Sequence, residues 1–194
     1  MSVATPVTPL VTHVVPRLTA ADLDGFPEDG KRRELIGGVL YVAAAPSRFH
    51  QEVQIRLIVQ IGSLVKANGS GKIFAAPADV RFSEHDLVQP DIIFIQRERL
   101  GMYRGNTVHG APDVVMEIVS PSNRGYDMRT KARLYEANAV PEYWVFDPER
   151  RVITQLVFVD GRHVSVEPTN GIYRSTVIPG LEIDPIILFA PLDE

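Results

Sequence analysis

Residues 111–123 read APDVVMEIVSPSN, and the pattern of this stretch decides the fold. It is apolar enough for a buried strand, yet Glu117 lies in its middle. Because side chains alternate along a strand, Glu117 shares one face with Asp113, Val115 and Val119. A carboxylate buried alone costs on the order of several kcal/mol or takes up a proton. The stretch therefore predicts that Glu117 has a partner. That partner is either part of a functional site or an arginine or lysine of a covering helix, in a structural ion pair.

The composition is that of a globular protein with one domain of ordinary size. The chain has 194 residues, of which 45% are apolar and 23% charged. A formal net charge of −4 argues against coating nucleic acid through bulk charge, but it leaves room for a local basic groove. The absence of cysteine excludes disulfides and thiolate metal sites and favours a cytoplasmic location. No apolar run approaches the roughly 20 residues of a membrane span.

Hydrophobic periodicity predicts a mixed α/β sheet covered by helices. Residues 1–17, rich in Pro, Thr and Val, predict an extended or disordered arm ahead of the domain. Two substantial helices are predicted, at 47–67 and 124–138, because apolar residues recur there every three or four positions, and a short helix is predicted from Thr19 to about Gly25. The predicted strands are 34–42 with a Gly-Gly kink, 79–82, 89–95, 113–120, 142–146, a hairpin of 152–159 and 163–167 across Asp160-Gly161, and 186–189. The hairpin argues against a purely parallel sheet.

Two carboxylates and a lysine form the most informative combination in the sequence. Asp91 opens a second strand that also begins with Pro-Asp, and Lys131 lies on the helix that follows the strand of Glu117. Carboxylate oxygens are preferred ligands of Mg²⁺, and a lysine can orient water and offset developing negative charge. This combination is typical of metal-dependent phosphodiesterases.

The segments RRELIGGVLYV, QPDIIF, APDVVMEIVSPSN and DMRTKARLYEANAVPEYWVFDP, in this order, resemble the Uma family of putative restriction endonucleases. That family is also catalogued as a domain of unknown function, and it belongs to the PD-(D/E)xK nuclease superfamily. The resemblance runs from about Leu18 to Glu167. It implies one restriction-endonuclease-like domain over residues 18–194, with a mixed β-sheet flanked by α-helices.

The resemblance also implies a site and an activity. Asp91 and Glu117 would bind Mg²⁺ or Mn²⁺ together with the main-chain carbonyl of Ile118, and Glu34 would be an additional acid. The implied activity is endonucleolytic hydrolysis of DNA phosphodiester bonds. A homodimer is expected because nuclease domains of this size often pair to address two strands.

One position departs from the superfamily pattern. The residue two after Glu117 should be lysine but is Val119. In this family the lysine has moved to the following helix, and Lys131 fits that place. An alternative is a catalytically inactive member of the same fold that binds nucleic acid or a protein. A further alternative is an assembly protein whose acids form a buried salt-bridge network.

Other polar residues have both a functional and a structural interpretation. Asp113 is a candidate metal ligand, although Pro-Asp at the start of a strand is more often a turn or cap. His50 is a candidate contact to a phosphate or to metal-bound water, and its structural alternative is a solvated or helix-capping residue. Tyr135 is either a substrate contact or a core residue, and Glu142 either anchors a base near the site or is structural. Candidate phosphate contacts, usually solvated on a helix, are Arg124, Arg129 and Arg133.

Overall fold

The structure is a computed structural model that describes residues 17–27, 29–43, 45–120 and 125–191. The predicted arm therefore lies outside the described residues except for Arg17. In chain order the strands are β1 (Arg33–Ile36), β2 (Val39–Val42), β3 (Gly71–Ala75), β4 (Asp79–Arg81), β5 (Leu87–Val88), β6 (Ile92–Gln96), β7 (Tyr103–Arg104), β8 (Thr107–His109), β9 (Val114–Ile118), β10 (Glu142–Asp147), β11 (Val152–Val159), β12 (Arg162–Val166), β13 (Tyr173–Arg174) and β14 (Glu182–Ile183). The α-helices are α1 (Arg48–Asn68), α2 (Ala132–Ala137) and α3 (Pro185–Leu188). A π-helix, Tyr126–Lys131, leads directly into α2, and 3₁₀ helices form at Ala20–Gly25 and Arg97–Met102.

A mixed six-stranded sheet, the central sheet, has the order β12-β11-β10-β9-β6-β3. Its β9 and β10 are parallel, and the other neighbouring strands are antiparallel. The parallel pair is joined by a crossover through the π-helix and α2, as parallel strands require. The predicted hairpin across Asp160-Gly161 is confirmed, since both residues have the positive φ of a two-residue hairpin turn.

A second six-stranded sheet, the small sheet, has the order β2-β1-β5-β4-β8-β7. The single strand predicted at 34–42 is wrong, because β1 and β2 form a tight hairpin with Ile36 opposite Val39. Gly37 and Gly38 make its turn with φ of 59° and 76°, a conformation that residues with a Cβ rarely adopt. The turn places both β1 and β2 in the small sheet.

Two apolar cores lie on the two faces of the central sheet. On one face, Leu57 and Ile61 of α1 pack with residues of β6, β9 and β10, among them Phe94 and Met116. The other face, the site face, packs against the small sheet and α2. Alternation along β9 assigns Val114, Met116 and Ile118 to the first core and Val115 and Val119 to the second. Glu117 therefore belongs to the site face.

Two further sequence predictions need correction. The strand predicted at 186–189 is wrong, because α3 forms there, with Asp184 Oδ1 accepting the Ile186 amide at 2.8 Å and Pro185 in the first turn. The helix predicted at 124–138 is a π-helix followed by a short α-helix. In the described part of the chain, no helix combines the length and apolarity needed to cross a membrane.

Candidate active site

A cluster of charged side chains is buried where the small sheet and the π-helix meet the site face of the central sheet. Glu34 comes from β1, Asp91 directly precedes β6, Glu117 lies in β9, and Lys131 ends the π-helix. Their exposed fractions are only 1%, 3%, 1% and 0%. The structure thus brings together the three acids and the lysine that the sequence singled out.

Lys131 is the cation at the centre of this cluster. Its Nζ lies 2.9 Å from Glu117 Oε1 and 2.9 Å from Glu34 Oε1. Val119, in the place where the resemblance implies a lysine, packs in the apolar core of the site face. The helix therefore supplies at Glu117 the ammonium that β9 lacks.

The π-helix sets which side chains reach the acids. Its hydrogen bonds span five residues, so Tyr126 and Lys131 lie on the same side of the helix. The Tyr126 hydroxyl donates to Glu34 Oε2 at 3.1 Å, and its ring centroid lies 5.4 Å from Lys131 Nζ. Four residues further on, the Tyr135 hydroxyl donates to Glu117 Oε1 at 2.7 Å. An α-helical register would turn Tyr126 away from this side.

Asp91 is fixed by donors from three segments. Its Oδ2 accepts the Ile118 amide at 2.8 Å and lies 3.0 Å from His50 Nε2, while Oδ1 accepts from Arg32 Nη1 at 2.8 Å. An ionised carboxylate only accepts hydrogen bonds, so His50 Nε2 is the donor in this pair. Ser47, not His50, caps α1, since its hydroxyl accepts the His50 amide at 3.2 Å. The solvated or capping role considered for His50 is therefore wrong.

Sequence reasoning missed Arg32, which lies among all three acids. Its Nη1 binds Asp91 as described, its Nη2 lies 3.7 Å from Glu117 Oε2, and its Nε lies 3.6 Å from Glu34 Oε1. The signal was present in the sequence, because residues two apart in an extended strand share a face. The position of Arg32, two residues before Glu34, therefore indicates it as a further candidate site residue.

The surroundings move the pKa values of the two central acids in opposite directions. Burial by itself raises the pKa of Asp91, but the hydrogen bond from His50 and the charge of Arg32 outweigh it and hold that pKa well below its usual range. Burial raises the pKa of Glu117, and the Lys131 ammonium offsets this only in part. Burial and the charge of Glu117 also raise the pKa of Tyr135, so its phenol stays protonated and donates. Asp91 is therefore the firmly ionised acid of the pair.

Replacing Glu117 with glutamine is expected to raise the melting temperature of the metal-free protein at neutral pH by about 2–4 °C, the effect of roughly 1 kcal/mol in a chain of this length. The raised folded-state pKa means that the stabilising contribution of Glu117 is present below its unfolded value of about 4.5 and is lost as pH rises through the folded pKa. Calorimetry in EDTA should show the gain shrinking as pH falls towards that value. A purely structural salt-bridge network predicts the opposite, a marked loss of stability in Glu117→Gln.

The oxygens around Asp91 and Glu117 suit a hard divalent cation in their chemistry. The candidate donors are these two carboxylates and the Ile118 main-chain carbonyl. Within the described ranges, no group of three or more His, Asp or Glu side chains could hold a metal ion. Two carboxylates and one main-chain carbonyl are therefore the candidate donor set, and the Arg32 guanidinium contacts both carboxylates.

The other two acidic candidates from the sequence make structural contacts. Asp113 Oδ2 accepts the Gln96 amide at 2.8 Å, and its Oδ1 pairs with Arg99. Glu142 accepts from Gln155 Nε2 and the Thr176 amide, each at 2.9 Å, away from the cluster. Arg129 and Arg133 are exposed on the helix, and Arg124 lies outside the described residues.

Comparison with known proteins adds two findings. The model of the Uma2 family, described as "Putative restriction endonuclease", matches residues 20–186. Among solved structures, a crystal structure at 1.96 Å of a putative nuclease belonging to DUF820 from Anabaena variabilis ATCC 29413 is similar, with a TM-score of 0.76 and 20% identity. The similarity covers 89% of this chain and 98% of that one, which confirms the predicted nuclease-like mixed α/β fold. Among curated proteins, none matches the chain.

Proposed function

The chain belongs to the Uma2 family of putative restriction endonucleases, and from that premise we propose that it is a divalent-metal-dependent endonuclease that hydrolyses DNA phosphodiester bonds. The observation that carries the proposal is the buried cluster in which Lys131 Nζ lies 2.9 Å from both Glu34 and Glu117. Structural ion pairs seldom bury three acids around two bases, because desolvating each charge is costly. Such an arrangement is typical of a site with a chemical task.

In this proposal Asp91, Glu117 and the Ile118 carbonyl would hold Mg²⁺ or Mn²⁺. When bound, the ion would act as a Lewis acid that stabilises charge on the phosphoryl oxygens and acidifies water. His50 and the Ile118 amide fix the orientation of Asp91, and Tyr135 fixes that of Glu117. Their hydrogen bonds leave Asp91 Oδ1 and Glu117 Oε2 directed towards the Arg32 side of the cluster.

Lys131 would orient the attacking water and offset the negative charge that develops on the phosphoryl group. Its two carboxylate partners hold the ammonium in place before substrate arrives, so little reorganisation is needed during reaction. Glu34 would act through this ion pair by positioning Lys131. Two sites addressing two strands would favour a homodimer, which light scattering of the purified protein would detect.

The direct test is a metal titration of plasmid cleavage by the full chain. We expect cleavage with Mg²⁺ or Mn²⁺ and none with EDTA. Glu117→Gln, which should fold at least as stably as the native protein, is expected to be inactive and so controls for contaminating nuclease. If the native protein binds neither ion and cuts neither double-stranded DNA, single-stranded DNA nor RNA, the proposal is wrong.

A second candidate function is binding without catalysis. Val119 in the usual lysine position and the guanidinium of Arg32 between the carboxylates are the observations that favour it. A non-catalytic member would bind labelled DNA or a protein partner and would cut nothing at any concentration of either metal. Fluorescence anisotropy run beside the cleavage assay distinguishes the two functions.

A further inference from the structure

Arg32 occupies the space towards which the remaining carboxylate oxygens point. Asp91 Oδ2 is taken by His50 and the Ile118 amide, and Glu117 Oε1 is taken by Lys131 and Tyr135. The other oxygen of each acid, Asp91 Oδ1 and Glu117 Oε2, pairs with a terminal nitrogen of the Arg32 guanidinium. A cation shared by the two acids would need these same two oxygens.

The guanidinium is held less tightly than its burial would lead one to expect. Its five N–H groups make one hydrogen bond to a side chain within the described residues, from Nη1 to Asp91. Its Nε is buried without a hydrogen-bond partner, and the distances to Glu34 and Glu117 are 3.6 and 3.7 Å. Lys131, by contrast, makes two contacts of 2.9 Å. Arg32 is therefore the base that a better-matched cation can replace.

The charges of the cluster favour exchange over simple addition. Among the described residues, three carboxylates face the bases Arg32 and Lys131, so a dication added to the intact cluster would lie beside both positive groups. If Arg32 left, the dication would have only Lys131 of these two bases beside it. Coulomb repulsion at such short distances in a buried site is strong enough to decide between these two arrangements.

Arg32 also has a route out of the site. Its side chain is 23% exposed, whereas those of Glu34 and Glu117 are 1% exposed. It directly precedes β1, where its carbonyl accepts the Ala43 amide at 3.0 Å. Burial by itself lowers the pKa of Arg32, but the charges of the three carboxylates outweigh burial and raise that pKa above its usual value. The guanidinium therefore keeps its charge, and it must move away before another cation can take its place.

We propose that Arg32 is a resident counter-ion of the site, which a divalent cation must displace before it binds Asp91 and Glu117. The inference rests on the metal site of the proposed function, and it adds Arg32 as a competitor of the metal ion for that site. Displacement of Arg32 would lower the apparent metal affinity of the native protein, because each binding event first breaks the contact with Asp91.

Calorimetric titration of Mn²⁺ into the full chain tests the competition without measuring activity. Arg32→Gln is expected to bind Mn²⁺ about tenfold or more tightly than the native protein, since one opposing positive charge has been removed. Arg33→Gln is the matched control, because Arg33 is the next residue along the chain and pairs with Asp29 instead of the cluster. Its Mn²⁺ affinity should equal that of the native protein.

A second variant and a second measurement guard against a folding defect in Arg32→Gln. Arg32→Lys keeps a charge on a side chain that cannot span two acids, so its Mn²⁺ affinity should exceed that of the native protein. In a crystal structure with Mn²⁺, identified by its anomalous signal, Arg32 Nη1 should have left Asp91 Oδ1.

The possible outcomes separate this inference from the proposed function. If the native protein binds Mn²⁺ and both Arg32 variants bind it equally or more weakly, Arg32 is a structural counter-ion and the inference alone fails. Mn²⁺ bound in the crystal with the Arg32–Asp91 contact intact would have the same meaning. If neither the native protein nor the variants bind Mn²⁺, the inference and the metal-dependent function fail together.

Discussion

Asp91→Asn is expected to reduce metal-dependent DNA cleavage by about 10³-fold, the loss of several kcal/mol of transition-state stabilisation. Asparagine has nearly the same shape as aspartate but no charge. The low pKa of Asp91 marks it as the acid whose negative charge the site supports most strongly. Losing that charge should weaken cation binding and leave Arg32 without its close partner. Single-turnover cleavage with saturating Mg²⁺ measures the effect, and circular dichroism checks the fold.

Asp113→Asn is the matched control, because Asp113 also follows a proline directly before a strand. Its carboxylate accepts the Gln96 amide and pairs with Arg99, outside the cluster. We expect this variant to cleave at the native rate and to lose only a little stability. If Asp113→Asn were inactive and Asp91→Asn active, Asp113 would be the metal ligand and the proposed site would be wrong.

The placement of Glu117 and Lys131 could be predicted because local rules govern it. Alternation along a strand assigns Glu117 to the face of Val115 and Val119, and the structure has that arrangement. The helix that follows β9 begins only a few residues after the strand, so its first turns must lie near the end of β9. The fold class followed in the same way, from the order of strands and helices.

The contacts of Arg32 and His50 could not be predicted with the same rules. They join Asp91 to residues 59 and 41 positions away, which come together only through the arrangement of the two sheets. Periodicity describes one element at a time and carries no information about such pairings. The alternation of side chains along the strand indicated only that Arg32 shares a face with Glu34. It did not indicate which residues of other elements Arg32 contacts.

Tyr126 and α3 show two other limits of sequence reasoning. Tyr126 reaches Glu34 only because the helix has a π register, and the spacing of apolar residues does not distinguish that register from an α-helix. Residues 186–189 are β-branched and apolar enough for a strand, and short apolar runs are ambiguous. The cap at Asp184 with Pro185 after it was the signal for α3 that outweighed β propensity.

Lys131→Met is expected to have large effects on both cleavage and folding. Methionine keeps most of the length of the side chain but leaves Glu34 and Glu117 without their shared ammonium in a fully buried position. Removing one partner from a buried charge network typically costs about 3–5 kcal/mol. Cleavage should fall by roughly 10³-fold, because the water loses its orienting group and the phosphoryl charge its counter-ion. Urea unfolding and single-turnover cleavage measure the two effects separately.

Combining Lys131→Met with Glu117→Gln separates stability from chemistry. The second change removes one of the two carboxylates that the first leaves uncompensated, so the double variant should regain part of the lost free energy of unfolding. It should regain no cleavage, since neither proposed catalytic group is restored. Lys66→Met, at an exposed position in the last turn of α1, controls for the substitution itself and should behave as the native protein. If Lys131→Met were destabilised but cut DNA at the native rate below its melting temperature, Lys131 would be a structural counter-ion only, and the lysine of the nuclease pattern would have no replacement in this chain.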